Sequence, residues 1–308
     1  MPTSTPAPGL DRTGLVTIVS CYVVWGLFPL YFRLLNSAGA GEIIAYRASM
    51  TLLSCLTLIA LWRGAGRRLL VALRSRRTVG MLALAGALIA VNWLVYVFGV
   101  NTGRTADAAI GYFLNPLVTV ALGYVFLGER LRRLQLVSLG VAAAAVGLLV
   151  WAYGSFPWIS LTLAFSFGFY GLLKKKVRAD SLTGLTIETA AIVPACLAYL
   201  AWLGWQGRAV VSAGVPLDWG VFGLLVLTGP LTALPLLLFG VGAQRVPLTV
   251  VGLSQYIAPT MQFLIALLVF HEPMPPVRFW AVGLVWVAVF IFVADALAAA
   301  RKARTRAA

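Results

Sequence analysis

Apolar residues run in long stretches along this chain, and polar residues collect in short gaps between them. Ten stretches stand out: Gly14–Leu35, Glu42–Trp62, Val79–Gly99, Ala106–Leu127, Leu134–Trp151, Phe156–Leu173, Gly184–Leu203, Trp219–Val241, Val250–Phe270 and Val277–Ala298. A helix rises 1.5 Å per residue, so each is long enough to cross about 30 Å of hydrocarbon. Short gaps predict antiparallel neighbours. The longer gap, Gly204 to Asp218, is polar and marked by Gly and Pro.

Within this pattern one segment occurs twice. Gly111–Gly140 carries a proline inside an apolar helix, an LGE ending, a basic turn and a second apolar helix; Ser254–Gly283 repeats that order. Pro116 and Pro259, Glu129 and Glu272, and Gly140 and Gly283 are all 143 residues apart. Weaker echoes join Trp25-Gly26 to Tyr170-Gly171 at an offset of 145, and Glu42 to Glu188 at 146. The chain therefore reads as built twice. The expected halves are residues 14–151 and 152–298, five helices each, between a polar tail (1–13) and a basic tail (299–308).

Composition narrows the class. With 61% hydrophobic and 11% charged residues, the chain does not fit a soluble domain. A net charge of +15 would suit nucleic acid, but the cations lie in clusters between apolar runs and form no soluble basic face. The amino terminus lacks the basic region and cleavage site of a signal peptide, so the first run reads as a retained helix. Cys21, Cys55 and Cys196 lie inside apolar runs, without CxxC spacing, and read as small buried hydrophobes.

Charge sets the expected orientation. If the amino terminus is cytoplasmic, 19 of the 24 Lys and Arg fall on that side and Arg33, Arg104, Arg208 and Arg278 on the other, with Arg47 inside a helix. Five is an odd number, so the halves insert upside down relative to each other. The turn after Glu129 carries Arg130, Arg132 and Arg133, whereas its repeat carries only Arg278. The fold class is thus all-α integral membrane: ten transmembrane helices in two inverted five-helix repeats, multi-pass in the plasma membrane, both termini cytoplasmic. Such repeats build many secondary transporters, with the site at the midplane.

Six motifs carry a family resemblance. They are YxxWGxxPxYF at Tyr22–Phe32, EIIAYR at Glu42–Arg47, NWxxYxxxVN at Asn92–Asn101, GYFxNPLxxxxLGxxFLGERLRRxQ at Gly111–Gln135, LAFSFxFYGLxKK at Leu163–Lys175 and QYIxPTxxFLxA at Gln255–Ala266. The chain resembles the RarD-type transporters of the EamA family, within the drug/metabolite transporter superfamily, from Leu15 to Asp295. The resemblance implies a ten-helix inner-membrane transporter of two inverted halves. It supplies neither a substrate nor a set of binding residues, so the site is argued from physical chemistry.

Ionisable groups inside a span are functional candidates by default. Arg47 lies five residues into the second helix, and its counterpart in the repeat is Val193. It either snorkels to the outer headgroups or stands as a fixed cation for a solute carboxylate or an acid across the cavity. Glu188, about one turn into the seventh helix, either couples transport to a proton or favours a helix amino terminus facing headgroup water. Glu129 and Glu272 lie at helix ends and read as caps, as does Asp107, while His271 has no partner ligands for a metal.

Uncharged polar and aromatic residues form stripes: Asn92 and Tyr96 beside Trp93; Tyr112, Asn115 and Thr119; Ser166 and Tyr170; and Gln255 and Gln262 around Pro259 and next to Tyr256. Such stripes face protein or water, because bare amides in hydrocarbon are costly. They serve interhelical hydrogen bonds or line a cavity for a moderately apolar solute. Pro116 and Pro259 are either flexing hinges between the halves or fixed bends.

The expected function is a secondary transporter, exporting small metabolites, amino-acid-like solutes or drugs by alternating access around a midplane cavity. Its expected partners are the lipid bilayer and a small-molecule solute, with no nucleic acid, cofactor or metal. A homodimer stays open, since the glycine-rich faces of helices five and ten suit either internal packing or a second copy. The alternatives are an uncoupled channel, for which no charged ring is visible, and an intramembrane enzyme, for which no catalytic dyad or HExxH pair is visible. No GxxxxGK[ST] loop supports ATP drive.

Overall fold

A computed structural model of the chain describes residues 11–127, 133–153, 156–177, 179–210, 217–245, 254–273 and 275–307. Among these, all regular structure is helical. Helix α1 (Arg12–Gly26) starts on Asp11, whose side chain accepts the N–H groups of Thr13 and Gly14. It stops at Leu27 and resumes as α2 (Phe28–Arg33), because Pro29 has no N–H for the carbonyl of Trp25. The first apolar stretch is therefore a single span with a break in it.

Helices α3 (Ala40–Leu61), α5 (Arg76–Asn101), α6 (Thr105–Leu127), α7 (Arg133–Tyr153), α8 (Trp158–Lys176), α9 (Ser181–Trp205) and α10 (Trp219–Arg245) follow the predicted order. Then come α11 (Ile257–Leu264), running into a π-helical turn over Ile265–Val269, and α12 (Pro276–Ala307). Five spans among the described residues are long and apolar enough to cross a bilayer: Arg12–Arg33, Ala40–Leu61, Arg76–Asn101, Ser181–Trp205 and Trp219–Phe239. Shorter apolar windows lie in α7, α8, α11 with its π turn, and α12. Large apolar side chains such as Leu53, Leu94, Phe126, Leu227, Leu268 and Phe290 face outward, an exterior suited to lipid rather than water.

Helix α3 packs on α9; α10 packs on α1 and α3; α5 packs on α8 and α9. Helix α6 packs on α8 and α11, α11 on α1, and α7 on α12. Two glycines set how close these helices come. A Cβ on Gly86 of α5 would lie 2.5 Å from the Glu188 carbonyl oxygen of α9, and one on Gly229 of α10 would lie 2.4 Å from the Met50 carbonyl of α3. Backbone cannot swing aside as a side chain can. Gly229→Ala is therefore expected to cost about 1–3 kcal/mol, seen as a lower melting temperature. Gly283→Ala, with nothing within 4 Å of the new methyl, is the control and should not destabilise.

Gly140 and Gly283, on the glycine-rich faces of the fifth and tenth spans, both have open space where a Cβ would sit. The seam between α7 and α12 is instead carried by Ala142, Ala145, Ala281 and Ala288, with Ser138 Oγ donating to the Ala288 carbonyl at 2.6 Å. Gly26 lies against Met261 of α11.

The arginine-rich gap after α3 holds one further helix, α4 (Ala65–Leu73), which the apolar pattern does not announce. Gly64, at φ +83°, turns the chain into it. Arg68 reaches Asp180 at 3.8 Å, and Asp180 caps α9 by accepting the Thr183 N–H and hydroxyl. Burial raises the Asp180 pKa, but the bonds from Thr183 and the charge of Arg68 outweigh that and hold it below the ordinary 3.8. Its contribution to stability is thus present above that value and lost as the pH falls through the folded pKa. Asp180→Ala should cost about 1 kcal/mol at neutral pH and less in acid, as pH-dependent melting would show.

Candidate functional site

The polar residues of the interior gather in three neighbourhoods. The first surrounds Arg47, which is 3% exposed and points into the bundle rather than back to the surface. Its Nε donates to Thr232 Oγ1 at 2.9 Å, near the middle of α10. Its guanidinium carbon lies 4.1 Å from the Trp93 ring centroid, 5.4 Å from that of Phe32 and 5.5 Å from that of Phe28. Arg47 Nη1 is buried without a hydrogen-bond partner. The snorkelling alternative is not what the side chain does.

The break at Leu27 builds this wall. It sets α2 as a separate short segment, and Phe28 and Phe32, one turn apart on it, both face Arg47. Thr232 lies between Pro230 and Pro235 in α10 and donates its own hydroxyl to the Thr228 carbonyl at 2.8 Å. Its oxygen is thereby oriented to accept from Arg47.

The second neighbourhood adjoins the first through ring contacts from Phe32 to Tyr96 and from Tyr96 to Tyr112. Asn92 makes three hydrogen bonds: its Nδ2 donates to Ser166 Oγ and to the Leu163 carbonyl, each at 3.0 Å, while its Oδ1 accepts the Tyr112 hydroxyl at 3.1 Å. One side chain thus ties α5 to α6 and α8. Tyr96 keeps its hydroxyl buried and without a partner. Arg47, Asn92, Trp93, Tyr96, Tyr112 and Ser166 are therefore brought together.

The third centres on Glu188, which is 0% exposed. Lys174 Nζ reaches Glu188 Oε1 at 2.6 Å, and the Tyr170 hydroxyl donates to Oε2 at 3.1 Å. Gly184, one turn before Glu188, makes room: a Cβ there would lie 2.6 Å from Lys174 Nζ. The carboxylate does not face headgroup water. It is held by a cation whose side chain is 29% exposed.

The remaining expected residues lie elsewhere. Tyr256 packs with Phe113 in a second apolar cluster, its hydroxyl buried and unpartnered, as is Asn115 Oδ1. Gln255 sits half-buried in the turn before α11. Gln262 Nε2 donates to the Trp25 carbonyl at 3.1 Å, filling the place that Pro29 leaves without a donor. Pro116 lies within α6, while Pro259 falls in the first turn of α11, where a proline is well tolerated. Glu129 lies outside the described residues. Glu272 is a cap, but not of the next helix: its carboxylate accepts the N–H groups of Thr105 and Ala106 at 2.9 and 3.1 Å, at the start of α6. A small apolar pocket between Cys55, Leu58, Leu182, Leu185, Ala233, Leu236 and Leu237 has room for about one water molecule.

The profile of the EamA-like transporter family matches residues 12–151. Protein RarD of Streptomyces exfoliatus is 47% identical over 298 residues, which is 96% of this chain and 93% of that protein. The chain belongs to the RarD-type transporters of the EamA family. The uncharacterized transporter YojE of Bacillus subtilis is 43% identical over 91% of this chain and 93% of its own length. A crystal structure of a protein 18% identical to this one shares the fold with a TM-score of 0.57, covering 91% of this chain and 97% of that one. This EamA transporter is accordingly a multi-pass membrane protein.

Four contributors escaped the reading of the sequence of this EamA protein. Lys174 reads as one more cytoplasmic cation in a KKK run. Thr232 is a threonine in an apolar stretch, and its only signal is the pair of flanking prolines. Phe28 and Phe32 look like ordinary lipid-facing positions until the break at Leu27 turns them inward.

Proposed function

We propose that the chain is a secondary transporter working by alternating access, exporting small metabolites, amino-acid-like solutes or drugs. Its halves are 14–151 and 152–298, inserted with opposite orientation and both termini cytoplasmic, and they rock about a site near mid-depth. One observation carries this reading: exchanging each of the ten spans for the one five places along maps the principal packing onto itself. The contact of α1 with α10 becomes that of α8 with α5; α3 with α10 becomes α9 with α5; α6 with α8 becomes α11 with α1. The self-paired contacts, α3 with α9, α6 with α11 and α7 with α12, lie where a two-fold axis would pass. The family profile ends at residue 151, at the proposed boundary, which adds support.

In this reading Arg47, Asn92, Trp93, Tyr96, Tyr112 and Ser166 contact the solute. Tyr170 and the Glu188–Lys174 pair act beside it as the coupling device. Asn115, Gln255, Tyr256 and Gln262 line the approach between α6 and α11, with Pro116 inside α6 and Pro259 at the start of α11 as the pivots of those helices. Protonation of Glu188 would release Lys174, giving a proton a means to change the packing of α8 on α9. Counterflow in proteoliposomes over a panel of amino acids, small metabolites and chloramphenicol tests the proposal. A carrier shows saturable uptake accelerated by solute on the opposite side. Flux proportional to concentration, without such acceleration, would mean a channel.

A further inference from the structure

We propose that Arg47 anchors a carboxylate on the transported solute, and that the rings of Trp93, Phe28 and Phe32 receive its apolar or aromatic body. This rests on the transporter reading and specifies its substrate class. A guanidinium offers five N–H donors in a planar fork that matches a carboxylate. Here Nε is engaged by Thr232, while Nη1 is buried and unpartnered. Removing a cation from water is costly, and a purely structural arginine recovers that cost from an acid. The ring contacts recover only part of it.

The buried acids Glu42, Glu188 and Glu272 are already engaged. Glu42 accepts the Val210 N–H at 2.7 Å, Glu188 is held by Lys174 and Tyr170, and Glu272 caps α6. The fold itself does not need a cation at this place, since the counterpart Val193 is a buried apolar residue in α9. The same inventory leaves no carboxylate among these three to receive an ammonium group. The site should therefore favour a carboxylate without requiring an amine.

Arg47 is closed off from solvent, so an element beside it moves to admit a solute, and we assign that movement to α2, which carries Phe28 and Phe32. The break at Leu27 allows that, because α2 joins α1 through a turn rather than a continuous helix.

The test is binding to the purified full chain in detergent, read as thermal stabilisation, and needs no transport. Phenylacetate, phenylacetamide, phenylalanine and sodium chloride are titrated in parallel. Phenylacetate and phenylalanine should stabilise saturably and comparably, with phenylacetamide at least tenfold weaker and chloride without a saturable effect. Arg47→Lys should keep a weakened preference, and Arg47→Gln should bind acid and amide alike. Thr232→Val, which leaves the charge in place, should weaken the acid several-fold and leave the amide unchanged. Equal binding of phenylacetate and phenylacetamide by the wild type, no binding of either acid, or equal stabilisation by chloride would each overturn the proposal. Because the counterflow panel contains neutral solutes, transport of one of those with no carboxylate preference would leave the carrier standing and remove only this inference.

Discussion

Lys174→Met is expected to destabilise the folded protein by about 3–5 kcal/mol, the cost of leaving a buried charge without its partner. Glu188 is fully buried, and after the substitution only the Tyr170 hydroxyl remains on its carboxylate. The reverse change should be milder. Glu188→Gln leaves Lys174 unpaired, but that side chain is already 29% exposed and can turn its ammonium toward water. The double variant, Lys174→Met with Glu188→Gln, should recover most of the loss, because neither charge then remains. A double-mutant cycle read by denaturant unfolding or melting temperature gives the coupling directly. Equal, additive losses from the two single changes would mean that the pair contributes nothing beyond its separate side chains.

Glu272→Ala should cost about 2–4 kcal/mol, because two buried backbone N–H groups lose a charged acceptor together. Thr105 and Ala106 open α6, where the helix dipole also favours a carboxylate. The geometry that delivers Glu272 there is local. The π turn at Ile265–Val269 brings the Glu272 N–H to the Ala266 carbonyl, and His271 adopts a left-handed conformation at φ 50°. That backbone is itself unfavourable by about 1–2 kcal/mol for a non-glycine residue, so it persists because the cap holds it. Glu272→Gln retains an acceptor and should lose about half as much. A change below about 0.5 kcal/mol for Glu272→Ala would show that water serves those N–H groups equally well.

The spans were legible because a membrane helix satisfies its own backbone and advertises itself by an unbroken apolar run. Helices α3, α5, α6 and α9 follow those runs closely. Helix α4 did not, since its arginines drown an apolar side of only a few residues. Asn92, Tyr96, Tyr112 and Ser166 were legible in stripes, each needing somewhere polar to point, and Arg47 as an ionisable group inside a span. Which stripes meet was not legible, because that depends on approaches such as Gly86 against α9 and Gly229 against α3. The partner of Glu272 lies 167 residues away at Thr105, and no local rule reaches that far. Gln262 was readable only as a polar residue; its purpose follows from a proline 233 positions earlier, Pro29.

The most direct measurement of alternating access uses a single reporter cysteine on the Arg47 face of α3. Thr51, one turn beyond Arg47, is fully buried, and its hydroxyl has no partner, so Thr51→Cys changes little. Cys21, Cys55 and Cys196 are first replaced by alanine, and a membrane-impermeant thiol reagent is applied to sealed, oriented vesicles from one side at a time. Alternating access predicts that Cys at 51 reacts from either side, and that a transported solute raising reactivity on one face lowers it on the other. Reactivity from one face only, or a simultaneous rise on both, would contradict it.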